Sequence, residues 1–176
     1  MAVTIDGSAS VTINSGAVLG ITSGTAVATT SGTSVDYTGI PSWVKRITVM
    51  FSSVSTNGTS NYLLQLGDSG GIETSGYVSS SAYLNTSADM VVSTAGFVLN
   101  SISASSSFSG SVTITLLNSA TNTWTAFGGI GWYPSFPILL TTGAKSLSAT
   151  LDRIRLTTVI GTNTFDAGSV NILYEG

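Results

Sequence analysis

Residues 40–51 read Ile40-Pro41-Ser42-Trp43-Val44-Lys45-Arg46-Ile47-Thr48-Val49-Met50-Phe51, and the fold class follows from this stretch. Pro41 fixes its own φ and disfavours a helical Ile40, so the chain enters the segment extended. Trp43, Ile47, Val49 and Phe51 then fall on one side of a period-two pattern. Val44, Arg46, Thr48 and Met50 fall on the other. Lys45 stands among the apolar set near the entrance, where its stem can snorkel outward. The alternation predicts a central core strand.

Working outward, short alternating segments recur with turn residues between them. Ser55-Thr56-Asn57-Gly58 reads as a turn. Tyr62–Gly67 resumes as a strand with Tyr62, Leu64 and Leu66 on one side, and Ile72–Leu84 as a strand bent at Gly76. Upstream, Thr25–Thr29 and Ser34–Thr38 read as two strands of a hairpin turning at Ser31-Gly32. Residues 1–24 carry Val3-Thr4-Ile5 and Val11-Thr12-Ile13 but no aromatic residue. They are expected to form an arm that packs on the body or on a partner.

Downstream, Gly96–Ile102 and Ser111–Leu117 read as strands around a polar loop at Ser103–Ser109. Asn118–Asn122 closes a hairpin onto Thr123–Phe127, and Ala144–Thr150 is a weaker strand. Leu151–Ile160 is a strong one, with Ile154, Leu156 and Ile160 sharing a face with Asp152, and Val170–Tyr174 is the last. The only helical feature expected is a turn near Ser87–Met90. The prediction is an all-β, antiparallel β-sandwich, jelly-roll-like, of about ten short strands. It divides into an N-terminal arm over residues 1–24 and a sandwich domain over 25–176.

Composition narrows the function classes. Of 176 residues, 42% are hydrophobic and 7% charged, against a usual charged share of about 25%. Roughly a third are Ser or Thr. Disorder wants the opposite balance of charge and hydrophobicity. A net charge of −3 with five basic residues makes no phosphate-tracking patch, so no nucleic-acid partner is expected. No run of about 18 apolar residues occurs, and 127–140 is interrupted by Pro134 and Pro137, so no membrane insertion is expected. The first residues lack the basic and apolar regions of a signal peptide, which predicts a chain made in the cytoplasm and not secreted.

Chemistry is mostly excluded by what is missing. Gly67-Asp68-Ser69-Gly70-Gly71 spells a serine-protease nucleophile signature, but that serine needs a histidine base and the chain has none. The segment reads as a turn between strands. Without His or Cys, ordinary zinc sites and thiol catalysis are closed. Asp68 and Glu73 lie close enough in sequence to flank a glycosidic bond, though such residues are more often solvated turn carboxylates. Asp6, Asp36, Asp89, Asp152 and Asp166 match no calcium-loop spacing. Gly128-Gly129-Ile130-Gly131 lacks the Lys-Ser/Thr of a phosphate loop. No catalytic, cofactor-binding or metal-ligating residue is predicted. Trp132, Tyr133 and Phe136, read as an aromatic loop beside Pro134 and Pro137, are the candidate site. They stack on sugar rings, plug a subunit interface, or cap the core, and all three readings stand open.

Three stretches resemble one family. Thr38–Phe51 with Ser55–Tyr62 and Leu64–Gly67, the ending Leu151–Thr157 through Phe165–Glu175, and the Met1-Ala2-Val3-Thr4-Ile5-Asp6-Gly7 opening are similar to structural proteins of tailed bacteriophages. These are proteins of the tail-fibre and virion-surface type. The resemblance implies a virion structural protein exposed on the particle, of the tail-fibre or receptor-binding kind, contacting a host surface glycan or protein. The alternative it implies is a capsid decoration protein stabilising the head through its N-terminal arm. A glycan depolymerase is a distant third. The same analogy implies a homotrimer in contact with other virion proteins.

Overall fold

In the computed structural model, which describes residues 12–13, 16–17, 20–84, 89–101, 103–134 and 138–176, every regular element is a strand. The first eight are β1 (Thr12–Ile13), β2 (Gly16–Ala17), β3 (Thr22–Ser23), β4 (Val27–Ala28), β5 (Val35–Thr38), β6 (Arg46–Thr56), β7 (Tyr62–Asp68) and β8 (Gly71–Ile72). The rest are β9 (Tyr77–Leu84), β10 (Met90–Ser93), β11 (Phe97–Leu99), β12 (Ser107–Asn118), β13 (Thr123–Tyr133), β14 (Ile138–Ser146), β15 (Arg153–Thr158) and β16 (Phe165–Glu175). A large sheet runs β10-β9-β14-β13-β12-β6-β16-β3, with β4 also on β16. A smaller one runs β11-β7-β15-β5, with β8 on β7, and β1 pairs with β2 alone. All ladders are antiparallel, and the two larger sheets share one core, so the fold is the expected all-β sandwich. Several strands are longer than expected, with β6, β13 and β16 at 11 residues and β12 at 12. The expected strand at Val3–Ile5 lies outside the described residues, as do residues 85–88; Met90, expected in a helical turn, opens β10.

The phase read from residues 40–51 holds inside β6. Ile47, Val49 and Phe51 are buried in the core with Leu64, Leu66, Ile154 and Leu156 of the smaller sheet. Its entrance differs, because Ser42–Trp43 is a turn. There Val44 is buried, and the half-buried Trp43 ring packs on Tyr174 at 5.8 Å. The strand also runs past the expected turn at Ser55. A bulge makes this work: Ser53 takes φ 51°, so Phe51 and Val54 both point inward with Ser52 and Ser53 outward between them. On the neighbouring β16, Gly168 (φ 89°) passes so close that a Cβ there would lie 2.3 Å from the Ser53 carbonyl oxygen. Only glycine fits.

Two expectations about neighbours are corrected. Thr25–Thr29 and Ser34–Thr38 do not form a hairpin: β4 pairs with β16 in the large sheet and β5 with β15 in the smaller one. Gly32 (φ 75°) turns the chain between sheets, and its carbonyl accepts the Phe165 N–H at 2.8 Å. The bend at Gly76 is likewise a crossover, from β8 in the smaller sheet to β9 in the large one. Strands this short bury too little against each other, so each takes a longer partner. Ile160 lies beyond the end of β15 and is exposed, while Ile154 and Leu156 are buried as expected.

The hydroxyl-rich composition has a use inside the sandwich. β11 pairs with β7 along one edge; side chains of the large sheet satisfy the other. Val98 N–H donates to Ser79 Oγ at 2.9 Å, Asn100 N–H donates to Ser81 Oγ at 3.4 Å, and the Thr141 hydroxyl donates to the Val98 carbonyl at 2.7 Å. Thr141→Val keeps the shape but leaves that carbonyl buried and unpaired. The variant should lose about 1–3 kcal/mol of unfolding free energy in urea titration. Thr142→Val on the outward face should change it by about 0.5 kcal/mol or less.

Candidate functional site

The aromatic segment is not a loop. β13 continues through Gly128–Gly131 to Tyr133, because Gly128 lets β12 approach: a Cβ there would lie 2.4 Å from the Ser111 carbonyl oxygen. Period two from Trp124 therefore carries Ala126, Ile130 and Trp132 inward. Trp132 is 2% exposed, with its ring 5.2 Å from Phe108 and 6.1 Å from Tyr62. It is a core residue and presents nothing to a ligand. Tyr133 ends the strand on the outward face, exposed, and Phe136 lies outside the described residues. Of the three readings, core burial describes Trp132.

The carboxylates at the Gly67–Gly71 turn are held. Asp68 Oδ1 accepts the Gly70 N–H at 2.7 Å and Oδ2 the Ser148 hydroxyl at 2.6 Å. Glu73 Oε1 accepts the Ser148 N–H at 2.7 Å, and Oε2 pairs with the Lys145 ammonium. Lys145 is 6% exposed, on the inward phase of β14, its Nζ 5.3 Å from the centre of the Tyr77 ring. The Ser148 hydroxyl, then the Gly70 amide, hold Asp68 below the usual carboxylate range. Burial works to raise Glu73, but Lys145 and Ser148 outweigh it and its pKa is lowered. A general acid needs the opposite shift. The arrangement is a clasp that fastens the β7–β8 turn to the β14–β15 connection.

Three further ion pairs engage charges among the described residues. Arg46 pairs with Glu175 at 2.5 Å, Arg153 with Asp152 at 2.6 Å and Arg155 with Asp36 at 2.7 Å. Among the described residues, no three His, Cys, Asp or Glu side chains are grouped to hold a metal ion.

What stands open is the outer face of the large sheet. Val78 and Leu84 on β9 and Met90 and Val92 on β10 point to solvent, Val78 at 76% and Val92 at 75% exposed. Ile138 on β14 and Phe127 on β13 join them, Phe127 at 63%. The ladders place Phe127 opposite Thr142, Thr142 opposite Ser80 and Ser80 opposite Val92, so these four side chains share one rung across four strands. Val78, Ser80, Val92, Thr142 and Ala144 line a shallow apolar trough of about 660 Å³. Outward positions on β10, β9, β14, β13 and β12 carry no charged residue. The signal was in the sequence, since Val78 and Val92 break the inward-apolar, outward-polar alternation of one-sided strands. No known protein family, curated protein or solved structure matches this chain.

Proposed function

We propose that this chain is a structural protein on the surface of a tailed-bacteriophage particle, where the outer face of its large sheet is covered in a lasting contact. The observation that carries this reading is that face: large apolar side chains exposed together on the uncharged outer side of one sheet. Monomeric proteins rarely expose such a patch, whereas lasting assemblies are joined by surfaces of this kind. The phage assignment is supported by the resemblance of residues 38–67 and 151–175 to virion proteins. Burial of Trp132 removes the side chain on which sugar recognition leaned, so a host-contacting fibre module has less support than a decoration protein. The test is antibody labelling of intact particles under the electron microscope. Label over the head is expected and supports decoration; label at the tail tip returns the host-contacting version. Particles without label would sink the reading.

A further inference from the structure

We infer that the outer face of the large sheet is covered by the same face of a second copy of this chain, in a two-fold sandwich of sheets. This deepens the assembly reading and rests on its premise that the face is covered. A self-pairing surface must be complementary to itself, each feature meeting its counterpart across the axis. Here the protruding feature is Phe127 on β13, and the receiving one is the trough over β9.

The ladders fix where the two meet. β13 and β9 flank β14 on either side, each about 4.8 Å away. A two-fold axis lying between the facing sheets and along β14 therefore sets β13 of each copy over β9 of the other. Because Phe127, Thr142 and Ser80 share a rung, each Phe127 then lands over the partner copy's small Ser80, between its apolar walls. Thr142 meets its own symmetry mate at the axis.

Two glycines point the same way. Gly129 and Gly131 face outward on β13 beside Phe127, and neither takes a positive φ. An added Cβ would come no nearer than 3.8 Å to Leu140 at Gly129, or 3.9 Å to Ser109 at Gly131. The chain's own packing therefore does not require glycine there, in contrast to Gly128. Glycine weakens a strand, and close approach by another backbone or a ligand is one of the recurrent reasons for its presence. β9, which bears Val78, Ala82 and Leu84, is what the axis brings over them.

Area and charge agree with a copy as the occupant. Five strands about 4.8 Å apart and about seven residues at 3.4 Å each project to roughly 600 Å², and to more as accessible surface. A standard stable interface takes about 800 Å² from each partner. An uncharged face meets its own copy without like-charge repulsion, which most surfaces cannot do.

The test is analytical ultracentrifugation of the full chain at micromolar concentrations. A species of twice the 17.9 kDa chain mass is expected. Phe127→Lys and Gly129→Val should each raise the dimer dissociation constant by at least about 30-fold, the scale of a hot-spot loss. Unchanged circular dichroism and a still cooperative thermal transition would show that both variants fold, and Gly129→Val adds a strand-favouring residue where space is open. A monomeric wild type, or an oligomer indifferent to both substitutions, overturns the inference. So does a trimer, whose face would meet a different surface. A monomer that still labels on particles leaves the virion reading standing, and a dimer absent from particles does the reverse.

Discussion

Trp132→Ala should lower the thermal midpoint by on the order of 10 °C, a larger effect than any exposed aromatic could give. The indole is buried at the meeting of Phe108, Tyr62 and Ile130, and Tyr62 in turn touches Phe165 at 6.3 Å between ring centres. Removing a buried Trp costs about 3–5 kcal/mol, through lost transfer energy and the cavity left behind. In a chain of this length each kcal/mol moves the midpoint by roughly 2–4 °C. Leu117→Ala, at an exposed position near the end of β12, should shift stability by about 0.5 kcal/mol or less. Differential scanning calorimetry of the two variants is the measurement. A Trp132 variant that melts like the wild type but loses particle or cell attachment would restore the side chain as a contact residue.

Lys145→Ala should be damaging too, for an electrostatic reason. Lys145 is buried on the core side of β14, with Glu73 as its ion-pair partner and the Tyr77 ring alongside. Breaking a fully buried pair from one side costs about 3–5 kcal/mol, and the cost here is smaller, because Glu73 is 22% exposed and keeps the Ser148 N–H. The pH dependence follows from the lowered carboxylates. Asp68 and Glu73 have folded pKa values below their unfolded ones, so their contribution is complete above the unfolded values near about pH 4. It is lost as pH falls through the folded values. Urea midpoints measured from pH 7 down to pH 2 should fall steeply below about pH 4. Glu73→Gln should flatten that fall, whereas Lys145→Ala should move it to higher pH, since only the Ser148 hydrogen bonds then oppose burial at Glu73. An acid limb identical in all three proteins would show that the clasp contributes little.

The alternation Ile47-Val49-Phe51 was legible because a half-buried strand needs only period two to show itself. The bulge at Ser53 was not: its positive φ is stabilised by Ser109 and Gly168, which lie 56 and 115 residues away. The hairpin expected at Ser31-Gly32 failed for a related reason, since a turn signal says that the chain reverses and not which sheet it enters. Trp132 was legible and was misread. Pro134 and Pro137 suggested a loop, but Trp124-Ala126-Gly128-Ile130-Trp132 already had strand phase, and the glycines between them permitted close strands. Lys145 likewise sits in phase with Leu139, Thr141 and Leu147, so its position foretold burial and hence a carboxylate partner. Val78 and Val92 signalled the exposed apolar face by breaking the alternation, but its extent emerged only once register put Phe127, Thr142, Ser80 and Val92 on one rung.

The hydroxyls of Ser79, Ser81 and Thr141 along β11 have a consequence for how the protein behaves in a crowd. An unpaired strand edge is a template on which another chain can dock and spread into fibrils. Here the Val98 amide and carbonyl and the Asn100 amide are already engaged from the facing sheet, so that rim offers no sticky row to a newcomer. The same bonds predict slow deuterium uptake at Val98 and Asn100, at amides that no neighbouring backbone protects. A sandwich sealed this way can be packed at high local concentration, as repeated copies on a shell would be, without its smaller sheet growing from that rim.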